Sequence, residues 1–194
     1  MMLQKLLTAF AVLLLAGTSQ AGLLPVDVNV GREGTHTRFD YSVILQSDTV
    51  LRTGDYFTVY DFAGFVPNSN TQPANFSFTT ATTGKTPAHV QPSDDPSIPN
   101  LTFTYTGSDT EVGELALGSF TALSRYTRTR EDYFTGQTHR ELDGHLNSNI
   151  TDTLVPVPCH PPAVPEPASI VLLALGLPLA LGVRAFRKAR ACVA

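Results

Sequence analysis

The sequence has no tryptophan, two cysteines and two methionines in 194 residues, and only 15% of it is charged. Two cysteines exclude a disulfide scaffold, and no Cys/His spacing fits a structural zinc site. Basic residues are in short supply, 13 against 17 acidic ones for a net charge of −4, which excludes a generic nucleic-acid binder. Catalytic signatures are missing as well. There is no His-Glu-x-x-His and no Gly-x-Ser-x-Gly, and Gly31-Arg-Glu-Gly34 lacks the lysine and hydroxyl of a phosphate loop. The chain therefore reads as a non-enzyme with no cofactor and no metal centre.

What it does have is concentrated at its two ends. Met1 to Lys5 carries one positive charge, and Leu6 to Ala16 is an apolar run. At 1.5 Å per residue that run is too short to cross about 30 Å of hydrocarbon. Ser19 and Ala21 follow as a small-x-small pair, so residues 1–21 read as a secretory signal peptide cut after Ala21 by signal peptidase. Near the other end, Ala168 to Phe186 gives 19 apolar or snorkelling residues, about 28 Å of helix, which just spans a bilayer. Arg184, Arg187, Lys188 and Arg190 come directly after it and hold residues 184–194 on the cytoplasmic side. Before the span, six prolines fall between Pro156 and Pro167. Proline fixes φ and lacks an amide donor, so residues 155–164 read as an extended stalk.

Pro165-Glu166-Pro167, then an apolar span, then Arg184, Arg187, Lys188 and Arg190 at the chain end resembles the PEP-CTERM sorting signal of bacterial surface and exported proteins. The resemblance covers residues 164–190. It implies processing at the Pro-Glu-Pro motif by an exosortase, a membrane-embedded cysteine protease or transpeptidase. It also implies a single-pass inner-membrane intermediate, then delivery to the cell surface or an extracellular polysaccharide matrix.

Between the ends, residues 22–154 read as an all-β ectodomain. Leu101-Thr-Phe-Thr-Tyr-Thr106 alternates strictly, placing Leu101, Phe103 and Tyr105 on one face and threonines on the other. Residues 38–45, 56–62, 76–83, 115–123 and 151–157 are also rich in strand formers. Turn signals separate them at 52–55, 67–70, 92–99 and 107–109. No window shows a sustained helical stripe. The expectation is an antiparallel β-sandwich of jelly-roll or immunoglobulin-like type.

Setting aside Lys5 and the four C-terminal cations leaves eight basic residues against 17 acidic ones, and Lys85 is the sole lysine among the eight. Such a surface repels polyanions and stays soluble. The densest polar cluster is His139, Glu141, Asp143 and His145. On one strand these would share a face, where metal ligation is conceivable, but a solvent-facing polar strand is the preferred explanation. Asn75, Asn100 and Asn149 head N-x-Ser/Thr acceptor sequences. Cys159, in the stalk, is a candidate reactive thiol. A non-catalytic structural or interaction domain is the expected role. The alternatives are a carbohydrate-binding sandwich, which would need an exposed aromatic platform drawn from Tyr60, Phe62, Phe65, Tyr126 and Tyr133, or a secreted hydrolase with an unrecognised site.

Overall fold

The computed structural model describes residues 22–110 and 113–158. Within them the chain forms nine strands and no helix: β1 (Leu23–Glu33), β2 (His36–Leu45), β3 (Thr49–Val50), β4 (Tyr56–Val59), β5 (Phe76–Ala81), β6 (Asn100–Tyr105), β7 (Leu115–Ser124), β8 (Arg128–Arg140) and β9 (Leu146–Val157). All pairings are antiparallel. One sheet has the order β1-β2-β7. In the other, β8 is the hub. Its residues 128–139 pair with β9 along one edge, while residues 134–137 pair with β4 and 139–140 with β3 along the opposite edge. That sheet continues through β4-β6-β5.

The two sheets face each other as a β-sandwich. In β2 every second residue, Thr37, Phe39, Tyr41, Val43 and Leu45, is buried, as one covered face demands. Phe57 of β4 lies at the centre of an aromatic lattice. It stacks on Phe103 of β6 at 5.0 Å and on Phe134 of β8 at 5.1 Å. Across the sandwich it meets Phe120 of β7 edge-on at 4.8 Å, the favourable quadrupole geometry. The described strands divide into three in one sheet and six in the other.

The expected strands are present, with changed limits. Expected 56–62 ends its ladder at Val59, although the amides of Tyr60 and Phe62 still reach the carbonyls of Tyr133 and Pro99. Expected 151–157 begins five residues earlier, at Leu146. β1, β3 and β8 were not legible. β1 contains Pro25, and eight of the 13 residues of β8 are charged or threonine, so neither shows a clean apolar alternation. The expected stalk boundary also moves. Val155 is fully buried, and Pro156 pairs with Thr129 and accepts the Ala63 amide at 3.3 Å, so the folded unit runs to Pro158. Pro156 is tolerated because β9 is an edge strand.

The outer face of the larger sheet is covered at its middle. The loop after β5 lays its Lys85 carbonyl on the Thr58 hydroxyl at 2.7 Å and places Thr86 Oγ1 2.7 Å from the Tyr60 hydroxyl. The Lys85 ammonium sits 3.8 Å over the Tyr56 ring. Burial, reinforced by the neighbouring Tyr60 and Asp55, pushes the Tyr56 phenol up to about 12. Thr58 and Thr102, on this outer face, are thus dry.

Candidate functional site

At the end of the sandwich where β9 leaves the fold, the exit of β4 and the start of β8 enclose a cleft of about 400 Å³. It is lined by Asp61, Ser93, Asp94, Asp95, Arg130, Glu131 and Asp132, so one cation faces five carboxylates. The sequence around Asp61 builds it. Past Val59 the chain must leave the ladder while staying dry, and Asp61 turns with φ +50°, the left-handed region that Asp tolerates best after glycine and Asn.

The Asp61 amide and both of its carboxylate oxygens have specific partners. The Asp61 amide donates to Asn100 Oδ1 at 2.7 Å, and Asn100 Nδ2 donates in turn to Asp94 Oδ1 at 2.8 Å. Asp94 Oδ2 accepts the Gly84 amide at 3.2 Å. Asp61 Oδ1 accepts the Asp95 amide at 3.0 Å, and its Oδ2 accepts Arg130 Nη2 at 2.9 Å. Arg130 reaches the next carboxylate through Nε at 3.0 Å and Nη2 at 2.6 Å, both to Asp132 Oδ2. Burial pushes the Asp61 carboxyl above its ordinary value, and the nearby Asp132 and Asp94 add to the push against the Asp95 amide and Arg130. Asp95 is held below its ordinary value by the hydroxyl and amide of Ser97. These bonds already occupy Asp61, Asp94 and Asp132, and the arrangement acts as an electrostatic clasp that pins the loop over the outer sheet face.

The His139 cluster does not converge. β8 ends at Arg140, and residues 141–145 form the turn into β9 rather than continuing a strand. Arg140 pairs with Asp143 at 2.7 Å, and Asp143 Oδ1 accepts the His145 amide at 3.0 Å. His139 turns instead to the buried Asp55, with Nδ1 2.9 Å from Oδ2, an oxygen that also accepts the Arg52 amide at 2.9 Å. The expected single polar face is therefore absent, because a turn breaks the period of two. Among the described residues, no three His, Cys, Asp or Glu side chains stand together as a metal-ligand set.

The aromatic candidates do not form a platform either. Tyr60 and Phe62 are fully buried. Phe65 packs on Phe62 and Phe78, and Tyr126 and Tyr133 are half-buried. Gly64, at φ +69°, lies so close beneath Tyr126 that a Cβ there would come within 2.6 Å of the ring. Of the acceptor asparagines, Asn75 is exposed, whereas Asn100 and Asn149 are buried, the latter donating to the Leu23 carbonyl at 2.7 Å. Ala21, Cys159, Pro165, Glu166, Pro167, Arg184, Arg187, Lys188 and Arg190 lie outside the described residues, as does the expected span 168–186. Among the described residues no helix is long and apolar enough to cross a membrane. The Asp61–Arg130 clasp was not legible in the sequence. The signal that could have found it is an Asp directly after an apolar strand run, which has no reason to be there unless it is paired.

No protein-family model matches the chain, and no curated protein does. Among solved structures, a cohesin module from a family 33 glycoside hydrolase of Clostridium perfringens ATCC13124 is similar with a TM-score of 0.40 and 13% identity, covering 72% of this chain and 97% of that one.

Proposed function

We propose that this chain is an exported surface or matrix protein, sorted and cleaved by an exosortase at Pro165-Glu166-Pro167, whose delivered β-sandwich is a non-catalytic interaction module. The observation that carries the reading is the order of segments at the end of the chain. A proline-rich stretch, Pro-Glu-Pro, an apolar span and four cations follow one another, with a signal peptide at the other end. In sequence, these segments follow the last strand, β9. The interaction role draws support from the state of the polar clusters. The carboxylates and the histidine at Asp61, Asp132, Asp55 and His139 are committed to pairing within the fold. Signal peptidase, exosortase and the membrane are the partners of the export route, and an exopolysaccharide matrix is the destination.

The test is Glu166→Ala in the native host. The variant is expected to stay membrane-held and unprocessed, while the wild type is released with its new end near Pro165. Unchanged release of the variant would refute exosortase recognition.

A further inference from the structure

β1 is a long edge strand of the smaller sheet. β1 pairs with β2 along one side, and no strand among the described residues pairs with its other side. A register shift between Pro25 and Asp27, together with the proline itself, closes the first part of that edge to pairing, which leaves residues 27–33 available. In register with buried Tyr41 and Phe39 of β2, Val28 and Val30 share the core-facing side of the sheet, yet Val30 is 36% exposed and neighbouring Val26 54%. The inner face of β1 thus outruns the sheet that should cover it.

Beside this edge runs a groove of about 210 Å³, lined by Pro25, Val26 and Val28 of β1 with Thr153 and Leu154 of β9, and by the carboxylates of Asp27, Glu131 and Asp152. Those three carboxylates form no ion pair within the described fold. No Lys or Arg lines the groove. Its volume suits one long side chain with an apolar stem and a charged end.

We infer that β1 is a docking edge for an extended, basic segment of a partner polypeptide, which adds to the smaller sheet as a fourth strand and lays a Lys or Arg side chain in the β1–β9 groove. Backbone pairing with residues 27–33 supplies affinity, as in other strand additions, and the three carboxylates select for positive charge. A second copy of this acidic domain is disfavoured at the same edge, because it would bring like charge to like. The inference rests on reading the sandwich as an interaction module, but not on the sorting route, which the Glu166 variant tests separately.

The experiment uses the full chain in detergent and a short synthetic peptide alternating lysine and valine. The peptide is expected to bind, more weakly as salt rises, and to slow amide exchange at residues 27–33. The same peptide N-methylated at alternate residues, and one with glutamate for lysine, are expected to bind at least about 10-fold more weakly, as is the lysine peptide to an Asp27→Lys/Glu131→Lys/Asp152→Lys chain. These acids are exposed, so the substituted chain is expected to fold, and an unchanged Tm checks it. Equal binding of the N-methylated peptide, protection away from β1, or no binding overturns the inference. So does a concentration-dependent dimer in which β1 is already protected, since that makes a second copy the occupant.

Discussion

Arg130→Ala should destabilise the sandwich in a way that depends on pH, and the size of the effect follows from the clasp. The guanidinium is 46% exposed, but the carboxylates that it bridges are not: the side chains of Asp61 and Asp132 are 6% and 7% exposed, at 2.9 and 2.6 Å. Each contact is worth up to about 6 kcal/mol at an effective dielectric of 20. Hydration of the half-exposed guanidinium offsets much of that, as does the cost of holding its side chain. Removing it leaves two dry carboxylates beside Asp94 and Asp95, and breaking a fully buried pair costs about 3–5 kcal/mol. A partly exposed cation should cost somewhat less, about 2–3 kcal/mol at pH 7.

Burial already holds the Asp61 pKa above its unfolded value, so the native state keeps that proton longer than the unfolded chain does. Asp61 therefore lowers stability as pH rises from the unfolded value through the folded one. Without Arg130 that value rises further, and protonation removes the unpaired charge as pH falls. The Arg130→Ala penalty should shrink to less than half between pH 7 and pH 4. Urea unfolding of both proteins at the two pH values measures it. A penalty that is equal at both pH values, or below about 0.5 kcal/mol at pH 7, would refute the electrostatic account and reduce Arg130 to a surface residue.

Phe57→Ala empties the centre of the aromatic lattice and should cost about 4 kcal/mol in urea unfolding, whereas Phe57→Leu should cost less than half as much. Asn100→Ala strips the Asp61 amide and Asp94 of their shared partner; a loss of about 2 kcal/mol is expected, with faster amide exchange at Asp61. Cys159 is expected to give a disulfide-linked dimer or a mixed disulfide in released protein, seen on non-reducing gels and absent from Cys159→Ser.

The all-β architecture class was readable from the residues alone. Alternation in 101–105 reads directly because Leu101, Phe103 and Tyr105 do face the core, and turn-forming residues at 52–55 and 67–70 do bend the chain. The tertiary structure decided what depends on residues far apart in the chain. β8 is the hub of the larger sheet although ten of its 13 residues are polar, because β4 and β9 complete its hydrogen bonds from both sides. Thr58 and Thr102 are dry because a distant loop folds over them. Arg130 finds Asp61 across 69 residues, and His139 finds Asp55 across 84, rather than the carboxylates beside it in sequence. A side chain's period shows which face it takes, but only the packed chain shows what stands opposite that face.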